Sequence, residues 1–214
     1  MMTTTMNRHF TDRALVIGLT VGAKADNPMH NSNRESEAKF RAMLGDSVEL
    51  FGIDLQMNFA GSKPDPDECS SNTILEDATD LATLETFPVM REGGFSLVTF
   101  DSHTEQYCKH FVRARLVTMY YLNKLRVGGR YIMSARVEMM DFVTPTVDFG
   151  VEQNRGVLRS YWETDGSLRD GFTLEYLEQH SGIHPTISAP IVVITKKANV
   201  EFVKVEEALK EMRK

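Results

Sequence analysis

A chain of 214 residues with 42% hydrophobic and 25% charged residues carries enough apolar material for one α/β-sized core and leaves little room for two domains. The formal net charge of −6 gives no general pull toward a polyanion, and two cysteines exclude a disulfide scaffold or a cysteine-rich metal centre. No segment approaches the run of about 18 apolar residues that a membrane span needs, so the expectation is a cytoplasmic domain with no membrane partner and no secretory signal.

The elements follow in chain order. Ala14 to Gly18 is a short apolar run closed by glycine, the pattern of a buried strand that ends in a tight turn. The next stretch, with Gly22, Asn27, Pro28 and Asn31, reads as a loop. Ser32 or Asn33 then caps a helix that runs to Leu44. A second strand carries Leu50, Phe51 and Ile53 and ends at Asp54 and Leu55. Beyond it lies a loop rich in Gly, Pro, Ser and Asp. A short apolar run and a group of acids, Glu76, Asp77 and Asp80, precede a short helix that Pro88 ends or bends.

Phe95 to Phe100 is a buried strand finished by Asp101, and Thr104 to Leu125 is the clearest helix. Cys108, Val112, Leu116, Met119 and Leu122 share one face of that helix, and the glycines of "RVGG" close it. "RYIMSA" resumes as a strand. Residues 141–163 suggest a hairpin, "TLEYLEQH" a helix, "IVVIT" another strand, and the C-terminal stretch an amphipathic helix or a further strand. Strands alternating with helices imply a mostly parallel sheet with helices on both faces.

The order of these segments resembles the class I S-adenosylmethionine-dependent methyltransferase family over roughly residues 14 to 135. In that family an acid and a G-x-G-x-G loop end the first strand. Here Gly18 and Gly22 match the outer glycines, Thr20 stands at the middle one, and Val16 stands at the acid. Asp54 matches the acid that accepts hydrogen bonds from the cofactor ribose, a task suited to an acceptor-only carboxylate. The resemblance places Leu55 beside the adenine, Asp77 and Ala78 at the adenine edge, and Asp101 near the transferred methyl group. "LRVGGRYIM" resembles the family's approach to the fifth strand, with Val127 in place of proline.

The resemblance thus implies a Rossmann-like class I methyltransferase fold and S-adenosylmethionine as cofactor. Gly18, Gly22, Asp54, Leu55, Asp77 and Ala78 would bind the cofactor. Asp101 and His103 would be the catalytic candidates, because imidazole moves a proton near neutral pH. The 36 positions from Gly18 to Asp54 make the first β-α-β unit long and imply an insertion near residues 25–36. An irregular region near 136–165 completes a single domain over 1–214.

Asp101, His103 and His110 match no metal spacing, so no metal is expected. Arg113, Arg115, Lys124, Arg126 and Arg130 read as a solvated face, which leaves nucleic-acid contact open but unsupported. Asp101, Arg136 and Glu163 follow the order of the ribose 2'-O-methyltransferase catalytic set, but an arginine stays protonated and does not serve as a tuned base. The acceptor and any protein partner stay unassigned. Two other functions compete: a non-catalytic methyltransferase-like binding or scaffold protein, motivated by Val16 and Thr20, and a dinucleotide-binding oxidoreductase, in which Asp54 would again hold a ribose.

Overall fold

The computed structural model describes residues 12–24, 31–55, 66–101, 111–134, 171–178, 182–188 and 190–199, and the side chains of these except at 66 and 111–116. Among the described residues, seven strands form one sheet: β1 (Arg13–Ile17), β2 (Glu49–Ile53), β3 (Thr73–Ile74), β4 (Phe95–Phe100), β5 (Leu125–Ser134), β6 (Phe172–Leu177) and β7 (Ile191–Lys196). Their spatial order is β3-β2-β1-β4-β5-β7-β6. The first five pair in parallel, whereas β7 runs antiparallel to both β5 and β6.

The helices among the described residues are α1 (Asn31–Leu44), α2 (Leu81–Leu84), α3 (Pro88–Glu92) and α4 (Phe111–Lys124), with a 3-10 turn at Pro66–Glu68. Side chains alternate across a strand, so each central strand feeds two cores. Leu15 and Ile17 of β1, Phe51 and Ile53 of β2, and Val192 and Ile194 of β7 join Leu81, Leu84, Met90, Tyr121 and Leu122 on the α2–α4 side. Ala14 and Val16, Leu50, and Ile191 and Val193 point the other way, to Phe40 of α1 and Ile187. Continuous apolar runs such as "ALVI" and "IVVI" are what a strand covered on both faces requires.

Four expectations change. The stretch from Thr173 to Leu177 is not helical but lies in edge strand β6, fully registered on β7. There Leu174 and Tyr176 pack on the core while Thr173 and Glu175 are exposed. That period of two, satisfied by a neighbouring strand, outweighs the helix propensity of Leu and Glu. Pro88 does not end a helix: it opens α3 at the first helical position, where its missing N–H costs nothing.

"RVGG" does not terminate α4 either. The helix stops at Lys124 and β5 begins at once at Leu125. The glycines instead lie in an irregularity of the β4–β5 pairing, whose register jumps from Phe95↔Leu125 to Leu97↔Arg130. Finally, the expected insertion near 25–36 overlaps α1 from Asn31 onward, so Asn31 to Ser36 form a helix. The expected hairpin at 141–163, the C-terminal helix and the irregular 136–165 region lie outside the described residues. Among the described residues no helix is long and apolar enough to cross a membrane.

Candidate functional site

The strand order reverses between β1 and β4. From β1 the chain moves outward through β2 to β3, then returns to place β4 on the other side of β1. Such a switch point opens a crevice beyond the strand C-terminal ends, because the flanking connections leave in opposite directions. Gly18 follows β1, Asp54 follows β2 and Asp101 follows β4, so all three lie on that edge.

Two backbone bonds lock them side by side. The Gly18 N–H donates to the Ile53 carbonyl at 2.7 Å, and the Asp101 N–H donates to the Ile17 carbonyl at 2.7 Å. The carboxylate-bearing residues Asp54 and Asp101 therefore flank the end of β1, and both are buried, each only 8% exposed.

The loop after β1 is built by close approach. Gly22 has φ +66°, and a Cβ there would lie 2.7 Å from the Ser70 Cβ. Gly52 of β2 has no unusual φ, yet a Cβ there would lie 2.0 Å from the Leu19 carbonyl oxygen. The first glycine is needed for its turn and the second for space. Gly18 also lies at positive φ, +84°.

Side chains then fasten the loop. The Thr20 hydroxyl donates to Asp54 Oδ2 at 2.6 Å, and its N–H donates to Asn33 Oδ1 at 3.4 Å. The Val21 N–H donates to Thr73 Oγ1 at 2.8 Å, and the Gly22 N–H to Glu37 Oε2 at 2.7 Å. Ser70 and Lys24 donate through their backbone to Val21 and Glu68 at 3.0 Å each.

The remaining expected residues occupy the same edge or lie outside the described part. Leu55 is half-buried just after Asp54. Asp77 and Ala78 follow β3. Asp77 Oδ1 accepts from both the N–H and the hydroxyl of Thr79 at 2.8 Å, forming a turn, and the Ala78 carbonyl accepts from the Tyr121 hydroxyl at 2.7 Å. Asp80 caps α2 through the Thr83 N–H at 3.2 Å. His103 and His110 lie outside the described residues. Val16, at the family's acid position, is a fully buried core residue. Of the basic set, Lys124 pairs with Glu85, and Arg126 lies 3.0 Å from Asp12.

Sequence reasoning missed the partners of the loop. Thr73, Glu37 and Ser70 carry no motif, Asn33 reads as a helix cap but lies inside α1, and the four converge only through the fold. It also missed a buried polar unit under β4. His184 Nδ1 accepts from the Ile187 N–H at 3.0 Å, so its ring proton sits on Nε2 and donates to Thr99 Oγ1 at 2.9 Å. Thr99 in turn donates to the Ile132 carbonyl at 2.8 Å. Phe40 of α1 packs edge-on against the His184 ring.

No protein-family model matches the chain, and no curated protein matches it. Solved structures do. The chain is similar to the MycE methyltransferase from the mycinamycin biosynthetic pathway, solved with Mg, SAH and mycinamycin VI, at 16% identity and TM-score 0.52, covering 92% of this chain and 48% of that one. A second MycE crystal form, with Mg and SAH, aligns at 13% identity and TM-score 0.50, covering 94% and 50%. This chain therefore spans about half the length of those structures. At such identity the likeness is one of fold, and with the sheet order it defines the class. The chain has the Rossmann-like class I S-adenosylmethionine-dependent methyltransferase fold, with a mixed central sheet and flanking helices.

Proposed function

We propose that this domain binds S-adenosylmethionine and transfers its methyl group to an acceptor. One observation carries the reading: Asp54 and Asp101 are locked on either side of the glycine loop at the switch point, through Gly18–Ile53 and Asp101–Ile17 backbone bonds. This is where an open α/β sheet takes a ligand. The cofactor fits the chemistry present. A buried carboxylate at the end of β2 suits a ribose diol, and a loop turned by two positive-φ glycines suits a close backbone approach.

When bound, the cofactor would supply an electrophilic methyl group on a sulfonium centre. The chain's own task is then orientation: Asp54 accepts from the ribose, Leu55, Asp77 and Ala78 border the adenine, and Gly18 and Gly22 shape the loop. Holding both reactants in line supplies a large share of such a rate enhancement. Asp101, at the end of β4, and His103 are assigned to the acceptor, with His103 taking a proton if the nucleophile sheds one.

Calorimetric titration with S-adenosylhomocysteine (SAH) tests the reading. We expect saturable binding to the wild type and about tenfold or greater weakening in Asp54→Ala, since a hydrogen bond to a charged group contributes roughly 1.5–3 kcal/mol. No binding by the wild type would sink it.

A second reading has its own support. The N–H groups of Thr20, Val21 and Gly22 already donate to Asn33, Thr73 and Glu37, so the loop is satisfied from within the chain. A non-catalytic domain that keeps the fold for binding or scaffolding would look like this. It predicts a folded chain that takes up no SAH. For the dinucleotide alternative, NAD would have to displace SAH; the reversed β7 between β5 and β6 departs from the 3-2-1-4-5-6 order of that class.

A further inference from the structure

We propose that Thr20 is a positioning residue for Asp54, fixing the carboxylate that receives the cofactor's ribose hydroxyls. The inference rests on the reading of Asp54 as the ribose acceptor and goes beyond it, because the middle loop position is ordinarily a glycine with no side chain to give.

Three features carry it. First, Thr20 is fully buried and its hydroxyl donates to Asp54 Oδ2 at 2.6 Å, within the short range of a charge-assisted O–H···O⁻ bond. A group with no exposure is behind the carboxylate rather than in the crevice, so a ligand does not have to displace it. Second, the backbone that carries the donor is held by its neighbours. The neighbouring Leu19 carbonyl is seated over Gly52, the Gly18 N–H is bound to Ile53, and the Thr20 N–H faces Asn33 Oδ1. Third, the acceptor's backbone is equally fixed, since the Asp54 N–H donates to the Ile74 carbonyl at 3.0 Å.

With both backbones held, the hydroxyl restrains the remaining freedom, the rotation of the carboxylate. Each carboxylate oxygen has two lone-pair sites, so accepting from Thr20 does not spend the oxygen. A donor fixed behind an acceptor presents the outward lone pairs in one orientation, which lowers the ordering cost of binding a diol.

The test is SAH titration of the whole chain with Thr20→Val and Thr20→Ser, repeated with SAH lacking the 2'- and 3'-hydroxyls. Thr20→Val should weaken SAH binding about tenfold, and Thr20→Ser, which keeps the hydroxyl, should stay within about twofold of wild type. On the dideoxy ligand, wild type and Thr20→Val should bind alike, because Asp54 then has no hydroxyl to receive. An equal loss on both ligands would overturn the proposal, since Thr20 would be shaping the loop and not the carboxylate. Unchanged SAH binding in Thr20→Val would overturn it as well. If Thr20→Val does not give a cooperative melt, Thr20→Ala, which only removes atoms, is read in its place. A wild type that binds no SAH removes the underlying reading of the site, a result distinct from either outcome above.

Discussion

Gly52→Ala isolates what close approach contributes to the loop. The added Cβ would lie 2.0 Å from the Leu19 carbonyl oxygen, about 1.4 Å short of the 3.4 Å where ordinary contact begins. Neither partner is a flexible side-chain end. Leu19 is backbone in a loop pinned by the Gly18–Ile53 bond, and Gly52 is paired with Val16 in the parallel β1–β2 ladder. Relief must therefore come from moving the loop or the strand. Overpacking of this kind costs roughly 1–3 kcal/mol, and loss of one or two loop hydrogen bonds adds about 1 kcal/mol each. We expect about 3 kcal/mol in total, which for a chain of this length lowers Tm by roughly 6–12 °C.

The matched control is Gly45→Ala. Gly45 has φ +83° at the end of α1, with no atom within 4 Å of its would-be Cβ, so only backbone strain is added, about 1 kcal/mol. Thermal unfolding followed by circular dichroism compares the two. If Gly52→Ala melts no lower than Gly45→Ala, the tight seating of Leu19 on β2 is not a structural requirement, and the account of the loop fails.

Two further outcomes follow from buried polar groups. Burial, then neighbouring Glu85, pushes the Tyr120 phenol well above its ordinary value of 10.0. The native state then holds a proton that the unfolded state releases above pH 10, so stability falls with rising pH there. Tyr120→Phe should remove about 1.4 kcal/mol of that alkaline decline between pH 9 and 11, measured by urea denaturation. An unchanged slope would contradict the burial argument. Thr99→Val removes the hydroxyl that links His184 to the Ile132 carbonyl and should cost about 1–3 kcal/mol, with Thr99→Ser recovering most of it. Equal melting temperatures for Thr99→Val and wild type would show that the buried link is not needed.

The sequence determined the central sheet. Runs such as Ala14 to Ile17, Phe95 to Phe100 and Ile191 to Thr195 are apolar on both faces and leave no alternative to burial between two layers, so their identity as strands was legible. The acids that close two of the central strands, Asp54 and Asp101, were legible for the same reason: a carboxylate ending an apolar run is visible in one dimension. What only the tertiary structure decided involves partners far apart in the chain. Residues 172–177 became strand β6 because β7 offered an edge, a fact absent from their own composition. The "RVGG" glycines became part of β5 because β4 lies beside them. The loop after β1 is held by Thr73, Asn33 and Glu37, brought together from β3 and α1. Thr20, which in sequence is an irregular residue in a glycine loop, acquires meaning only from the 2.6 Å bond to Asp54, 34 positions away. Periodicity reports which face of an element is buried; it carries no information about which distant group will meet it there.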